Sequence, residues 1–505
     1  MRGKKALSNV TASLTLQIVT SLAGFIIPKL LISAYGSSIN GLIASIKSFM
    51  YYLNLVETGI GTSTIVALYS PLALKDKGAI NGILAAAQRF YNHAGVLLTG
   101  LIVVLATVYP HIVKHSVSAS TASLMVIIIG VSSLSHYFLM GKNRVLLTAD
   151  QRSFVISLNQ AAAVILSTTA CVFLILFRVH IVVIQGVITI IYTAQAITLT
   201  LYVRKNYPFL EKCVAPSSGA GDKRWDAMLH QLGFVLTSNS PIVLITIICG
   251  LSEVSVYAVY YMIIAAVTML ISSCSNGMTA GFGELIMKEN TDRVEKAFAS
   301  YEHLFFIILT WVYTCTAILY IPFINVYVQG FKDANYFRPS FVILMVITGF
   351  LYCMRFPYLT MVNAAGKFKE TRVGAIIEPC IIISAGTVFA NLFGVQGILV
   401  AMGIASLYRT VDLAIYFSRH IGRRSVGVII AKVALNATCA VMAGLPFIVG
   451  FVLVKASDLK LWCIYAGLVA IWTLGIVLIG NYLFYRLVTV QCVLRLTNII
   501  SKRSF

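Results

Sequence analysis

Long apolar stretches separated by short polar gaps run through the whole chain. Fourteen of them reach about 20 residues or more, the length that a helix needs to cross a bilayer core of roughly 30 Å. They occupy residues 10–34, 40–69, 83–110, 121–141, 154–177, 181–203, 228–250, 254–282, 303–328, 340–364, 373–392, 395–418, 426–454 and 461–485. A soluble protein could not bury so many apolar segments, so the pattern predicts an all-α polytopic membrane protein with 14 transmembrane helices.

The lysines and arginines between these stretches fall mostly in alternate gaps. Twenty-seven of them lie in the gaps on one side of the predicted membrane and six in the gaps on the other side. Cytoplasmic loops carry the excess of basic residues in membrane proteins, so this asymmetry predicts that both termini are cytoplasmic. An even number of spans agrees with this prediction, because it places both termini on the same side of the membrane.

Composition narrows the function classes. The hydrophobic fraction is 59%, the charged fraction is 11% and the net charge is +21. Such a charge can indicate nucleic acid, but here the bases lie in short loops between spans. We therefore expect contacts with anionic membrane lipids and no binding of nucleic acid. None of the ten cysteines has another within metal-ligand spacing, so we expect no metal site, no disulfide framework and no cofactor.

The longest gap divides the chain near its middle. Residues 204–227 contain proline, glycine and serine in the proportions of a flexible cytoplasmic linker. This predicts an N-terminal lobe of helices 1–6 at 1–203 and a C-terminal lobe of helices 7–12 at 228–418. Two extra helices and a tail would follow at 419–505. An ordinary long loop is the alternative interpretation of the gap.

Two weak internal echoes favour a duplicated architecture. Residues 32–38 resemble residues 246–252, and residues 147–151 resemble residues 363–367, with offsets of 214 and 216. Both offsets correspond to a shift of six helices. An even shift preserves orientation across the membrane, so the two bundles are predicted to be parallel repeats.

Eight charged residues lie inside the predicted spans, besides Arg89, which lies near the start of span 83–110 and is counted with the preceding gap. The bases are Lys29, Lys47, Arg355, Arg409 and Lys432, and the acids are Glu57, Glu378 and Asp412. A charge at the bilayer centre costs about 2.5–3.5 kcal/mol on insertion scales, so each is expected to face a wet cavity or a partner. The surplus of bases suits an anionic head group such as a pyrophosphate, because arginine binds phosphate oxygens through two parallel hydrogen bonds.

Some of these residues also have simpler interpretations. Lys432 is close enough to the start of its span to extend to the cytoplasmic surface. Arg409 and Asp412 share a helix face and could neutralise each other. Glu378, near the cytoplasmic end of its span, could be interfacial. Glu57 and Arg355 lie deeper in their spans.

Several segments resemble the bacterial polysaccharide-repeat-unit flippases, the O-antigen and capsule group. These segments are Asn54-Leu55-Val56-Glu57-Thr58-Gly59-Ile60-Gly61, the stretch from Arg355 to Pro379, and residues 395–412. The group belongs to the multidrug/oligosaccharidyl-lipid/polysaccharide (MOP) exporter superfamily. The resemblance implies two six-helix bundles around a central cavity, here with two extra C-terminal helices.

The resemblance also implies a function. Such a protein would move undecaprenyl-pyrophosphate-linked oligosaccharide across the bacterial cytoplasmic (inner) membrane by alternating access. Arg355, Arg409, Lys29 and Lys47 would contact the head group. Glu57, Glu378 and Asp412 would serve in ion coupling or charge pairing. Other polysaccharide-assembly membrane proteins are possible partners, and we expect a monomer.

One departure and one alternative remain. Many members of the group carry an acid in the middle of helix seven, whereas this chain has Ser238-Asn239-Ser240-Pro241 there. A cation-coupled multidrug or metabolite antiporter of the same fold is the alternative function. Helix one has Lys29 but no acid, which disfavours the antiporter. We do not expect an enzyme, because the outer gaps are short and no glycine-rich phosphate loop is present.

Overall fold

The computed structural model of the protein describes residues 2–57, 60–113, 116–210, 224–288, 291–422, 425–448, 456 and 458–501. These residues form helices and short connections, with no strand among them. The α-helices are α1 (Arg2–Tyr35), α2 (Ser37–Leu53), α3 (Ile60–Leu74), α4 (Lys77–Val113), α5 (Ala119–Ser135), α6 (Gly141–Ala149), α7 (Ser153–Leu176), α8 (Ile181–Asn206), α9 (Arg224–Ile248), α10 (Leu251–Lys288), α11 (Thr291–Tyr327), α12 (Pro339–Met354), α13 (Phe356–Ala364), α14 (Phe368–Phe393), α15 (Val395–His420), α16 (Val426–Ile448) and α17 (Leu459–Ser501).

Thirteen helical segments in the described part of the chain are long and apolar enough to cross a membrane. Each coincides with one of the predicted spans, so the prediction of an all-α polytopic membrane protein is confirmed. The remaining predicted span, residues 40–69, is built differently. It consists of α2, a 3₁₀ turn at Asn54–Glu57 and the shorter helix α3.

The change of helix type after α2 occurs at a polar residue, Asn54. Asn54 ends the helix, and its backbone N–H donates to carbonyl groups of the preceding turn. The Asn54 carbonyl accepts a hydrogen bond of 3.2 Å from the Tyr137 hydroxyl. Tyr137 lies in a π-helical turn, His136–Met140, that joins α5 to α6. A side chain of one irregular turn thus satisfies a backbone carbonyl of the other.

The chain divides into two compact units. Unit 1 comprises Met1–Val259 and Phe331–Ala334, and unit 2 comprises Tyr260–Gly330 and Asn335–Phe505. The first division falls within α10. The lobe boundaries expected from the linker at 204–227 stay a prediction, and residues 211–223 of that linker lie outside the described part.

Unit 1 has one continuous apolar core built from α1 to α8. Its largest fully buried side chains are the tyrosines Tyr91, Tyr109 and Tyr137. A buried tyrosine hydroxyl needs a partner, and Tyr109 donates to Ser45 Oγ at 2.8 Å. Thr246 on α9 also donates to Ser45 Oγ, at 2.8 Å. These hydroxyl bonds fix α9 against α2.

The first turn of α2 is capped from a distant part of the sequence. Gly36 precedes this helix and offers no side chain to its free N–H groups. Asp333, in the short segment that joins α11 to α12, accepts hydrogen bonds from the backbone N–H and the hydroxyl of Ser37. A carboxylate at a helix N-terminus also complements the helix dipole.

Unit 2 packs α14 against α15, and α11 against both C-terminal helices. An aromatic cluster fills the space between α11, α13 and α15. The ring centroids of Phe298 and Phe417 lie 4.2 Å apart, and Tyr358 contacts both. Indole groups attach α17 to α11, since Trp311 Nε1 donates to the Ala470 carbonyl at 2.9 Å.

The close approach of α2 and α10 in unit 1 gives a test of the fold. A methyl group at Gly41 would lie 1.9 Å from the Leu251 carbonyl oxygen. We expect Gly41→Ala to destabilise the protein by about 1–3 kcal/mol through overpacking. Gly100→Ala is the matched control, because nothing lies within 4 Å of that position. Thermal unfolding in detergent should show a lower Tm for G41A alone; equal Tm values would contradict this packing.

Candidate functional site

Arg355 lies at the junction of α12 and α13 in unit 2. Pro357 occupies the start of α13 and has no backbone N–H to donate to the carbonyl four residues earlier, which explains the interruption between α12 and α13. Arg355 Nη1 lies 2.7 Å from Glu378 Oε1 on α14, and both side chains are less than 10% exposed. The guanidinium also lies 4.0 Å from the ring centroid of Tyr352. The arginine is therefore held by a carboxylate and an aromatic face together.

Arg409 and Asp412 form a second ion pair within α15. Arg409 Nη1 lies 2.5 Å from Asp412 Oδ2; the arginine side chain is 4% exposed and the aspartate side chain is 35% exposed. Gly374 on α14 makes room for this pair, since a methyl group there would lie 2.2 Å from both of these atoms. The two pairs are close enough to interact electrostatically: the charges of both Arg355 and Glu378 act on Arg409.

Four of the predicted site residues thus come together in one cluster of unit 2. Its formal charge is zero, because two arginines face two carboxylates. The two arginines were predicted to contact an anionic head group, and the structure pairs both with acids. Glu378, for which an interfacial position was considered, is 4% exposed and buried.

A third buried pair joins α11 to α16. Lys432 Nζ lies 2.5 Å from Glu302 Oε2, with the side chains 7% and 2% exposed. The Tyr358 hydroxyl donates to the other carboxylate oxygen of Glu302 at 3.0 Å. The interpretation of Lys432 as extending to the membrane surface is therefore wrong. The lysine turns inward because the Glu302 carboxylate, itself held by the Tyr358 hydroxyl, is available there as a partner.

Glu302 is the charged residue that the sequence analysis missed. It falls one residue before the predicted span 303–328, whereas α11 begins at Thr291. Phe298 and Phe305 are buried, and they stand four residues before and three residues after Glu302. An acid within an apolar stripe at helical spacing was the available signal.

The two predicted lysines of unit 1 have different surroundings. Lys47 on α2 is exposed and has no ion pair or hydrogen bond from its ammonium group among the described residues. Lys29 on α1 is half-buried, follows Pro28 and has a partner of its own. Glu57 ends the 3₁₀ turn after α2, and its side chain lies outside the described residues.

The position of the absent helix-seven acid lies on α9 in unit 1. Ser240 is 2% exposed, and its hydroxyl lies 2.7 Å from the Tyr52 hydroxyl of α2. α9 continues through Pro241 to Ile248. Two hydroxyl groups therefore contact each other at the position where the family resemblance predicts an acid.

The intramembrane cations of the two units differ in whether they form ion pairs. In unit 2 each of the three intramembrane cations has a carboxylate within 2.7 Å. In unit 1 the residue Lys47 is exposed and forms no ion pair with a carboxylate among the described side chains. The positive surplus deduced from the sequence therefore lies in unit 1.

The sequence and the fold were both compared with those of known proteins. No protein-family model and no curated protein sequence matches the chain. Solved structures do match. A multidrug resistance MATE family transporter of the MOP superfamily, inward-facing, is 12% identical with a TM-score of 0.66, over 83% of this chain and 98% of its own. The lipid II flippase MurJ, inward closed, is 13% identical with a TM-score of 0.64, over 95% of this chain and 98% of its own.

A MOP superfamily transporter from Pyrococcus furiosus is 12% identical with a TM-score of 0.58, over 82% of this chain and 95% of its own. Together these likenesses show that the chain has the fold of MOP superfamily transporters. With the thirteen apolar helices, they indicate a multi-pass membrane protein.

The Glu302–Lys432 pair provides a stability test. Lys432→Met leaves a buried carboxylate without its partner, so we expect a loss of about 3–5 kcal/mol. The double change Glu302→Gln and Lys432→Met should recover most of that loss. Lys288→Met is the control, because Lys288 forms an exposed pair with Glu284 at 2.6 Å and such pairs contribute about 0–1 kcal/mol. Thermal unfolding of the purified variants measures the series; equal losses in the single and the double variant would refute the coupling.

Proposed function

We propose that the protein is a flippase that moves undecaprenyl-pyrophosphate-linked oligosaccharide repeat units across the bacterial cytoplasmic membrane by alternating access. It would supply O-antigen or capsule assembly, act as a monomer and have both termini in the cytoplasm. It would do no covalent chemistry, since a flippase changes only the side of the membrane on which its substrate lies.

The extent of one structural match carries this proposal. The lipid II flippase covers 95% of the present chain, whereas the MATE transporter covers 83%. The flippase thus accounts for 12 percentage points more of the chain. A lipid II flippase carries a lipid-linked substrate, which supports a substrate of that class here.

Lys47 is the residue we assign to the phosphate groups of the substrate, with Lys29 on the adjacent helix as a second contact. Lys47 is exposed and forms no ion pair among the described side chains, so an anion can bind there without displacing a described carboxylate. A lysine acts as a compact point charge toward phosphate. Tyr51 stands four residues after Lys47 on the same helix face and is 58% exposed, so an aromatic surface for a sugar ring would lie beside it.

Arg355 would take part in the transport cycle by exchanging its partner Glu378 for the pyrophosphate of the substrate. A pyrophosphate offers the same oxygen geometry as a carboxylate and carries more charge, so it can compete with Glu378 for the guanidinium. Arg409 and Asp412 would balance the remaining charge.

A cation-coupled multidrug or metabolite antiporter is the second candidate. The TM-score of 0.66 with a multidrug transporter favours it. The site does not, because an organic cation needs an unpaired acid, whereas Glu378 is paired with Arg355 and Asp412 with Arg409. Resistance profiling of overexpressing cells separates the two: raised resistance with normal surface polysaccharide would support the antiporter.

Surface polysaccharide in a deletion strain tests the flippase. We expect the deletion to abolish surface polysaccharide and the wild-type gene to restore it. Lys47→Gln should restore less than about a tenth of it, since loss of a charge-assisted contact costs about 1.5–3 kcal/mol. Lys75→Gln, an exposed lysine between α3 and α4, is the control and should complement fully. Normal export in the deletion strain would refute the flippase.

The partner-exchange step has its own test. Glu378→Gln frees Arg355, so we expect tighter binding of a pyrophosphate-bearing lipid and reduced export, because release becomes slower. Arg355→Gln should weaken binding. Glu284→Gln removes a carboxylate from an exposed pair and is the control. Ligand-induced changes in Tm measure binding, and size-exclusion profiles check folding. Unchanged binding and export in Glu378→Gln would assign the pair a purely structural role.

A further inference from the structure

The end of unit 1 that is predicted to be cytoplasmic carries a dense positive charge. The connections and helix ends at residues 75–89, 142–152 and 204–205, together with Lys5, contain nine lysines and arginines and two acids, Asp76 and Asp150. A positive-inside bias explains an excess of bases at this end. It does not explain how they are arranged.

Both acids at this end are already engaged. Asp150 lies 2.9 Å from Arg152 Nε and 3.4 Å from Lys5 Nζ, and it accepts a hydrogen bond of 2.5 Å from the Tyr207 hydroxyl. Burial raises the pKa of Tyr207, and the neighbouring Asp150 raises it further, so the phenol remains a donor. Asp76 accepts from the Ala79 N–H at 2.9 Å and caps α4. Neither carboxylate is left for the remaining bases.

Two hydrogen bonds set the register of α6 against α8. Asn143 Nδ2 donates to Thr200 Oγ1 at 3.0 Å. Seven residues further along both segments, the Tyr207 hydroxyl donates to Asp150. Both bonds join residues 57 apart, so the two segments run parallel and side by side. Thr200 also donates to the Leu139 carbonyl of the π-helical turn at 2.8 Å, which holds the start of α6 in place.

This register brings two cations together. Arg204 stands five residues beyond the level of Lys142, roughly 7.5 Å along the axis. Helical side chains lean back toward the N-terminus, which turns Arg204 toward Lys142. The two like charges repel each other, and Lys142 is half-buried. No acid among the described side chains pairs with either residue.

We propose that Lys142 and Arg204 form a phosphate-binding site between α6 and α8. Two neighbouring cations, one of them half-buried, are unfavourable alone, and an anion bound by both removes the cost. The guanidinium can bind two phosphate oxygens side by side while the ammonium supplies a compact charge. The phosphate can belong to a membrane phospholipid or to the pyrophosphate of an isoprenoid lipid.

Binding in neutral detergent micelles tests the site on the full-length protein. The probes are dihexanoyl-phosphatidylglycerol and farnesyl pyrophosphate, with dihexanoyl-phosphatidylcholine as the neutral comparison. Lys142→Gln with Arg204→Gln should weaken binding of at least one anionic probe by about tenfold or more. Arg89→Gln with Lys205→Gln removes the same two residue types from exposed positions at the same end. This control should change binding by less than about threefold, because salt screens distant charges.

The probes identify the source of the phosphate. Selective loss of phosphatidylglycerol binding assigns the site to a phospholipid, and selective loss of farnesyl pyrophosphate assigns it to an isoprenoid carrier. Equal weakening in the site variant and the control would overturn the proposal, because only general surface charge would then be present. The assay measures binding and not export, so this result leaves the flippase proposal standing or falling by itself.

A second measurement needs no lipid. In phosphate-free buffer of low ionic strength, Lys142→Gln should raise the Tm, because it removes a repulsion. Addition of inorganic pyrophosphate should raise the Tm of the wild type and not that of the variant. A lower Tm for Lys142→Gln without ligand would show that the lysine makes a stabilising contact, and would contradict the site.

Discussion

Burying a charge where water is scarce is costly unless a partner of opposite charge lies within hydrogen-bonding distance. Unit 2 meets this constraint with three ion pairs, each formed between different turns or different helices. Arg355 bonds to Glu378 at 2.7 Å, and Lys432 bonds to Glu302 at 2.5 Å. The first of these joins the α12–α13 junction to α14, and the second attaches α16 to α11. The pairs therefore fix the helices of unit 2 and leave it without an unpaired intramembrane cation among the described residues.

Unit 1 meets the same constraint with uncharged groups. Ser45 joins α2, α4 and α9 through the hydroxyls of Tyr109 and Thr246. The intramembrane bases of this unit are Lys29 on α1 and Lys47 on α2, and further bases lie at the ends of α6 and α8. Both places suit phosphate, and both lie in the unit that contains the N-terminal helices. Phosphate recognition by unit 1 and charge pairing in unit 2 is the division of roles that we propose.

The sequence predicted the spans well, because a 20-residue apolar run has few other uses in a helical protein. It predicted Arg409 with Asp412, because a spacing of three residues places them on one helix face. The pairing of Arg355 with Glu378 joins separate helices, which apolar periodicity cannot specify. Lys432 was misinterpreted for the same reason, since its partner Glu302 is 130 residues away. At the division of span 40–69 the Asn54 carbonyl accepts a hydrogen bond from Tyr137 of a distant segment, a contact that local propensity cannot specify.

Lipid movement by the purified protein is the most direct measurement of the central claim. The protein is reconstituted into liposomes with undecaprenyl-pyrophosphate-linked oligosaccharide, and a membrane-impermeant glycosidase is added outside. We predict that the glycosidase reaches glycan from the inner leaflet much faster than in protein-free liposomes, and that Lys47→Gln abolishes most of this increase. Glycan in the inner leaflet that stays protected, together with uptake of an organic cation by the same liposomes, would contradict the account.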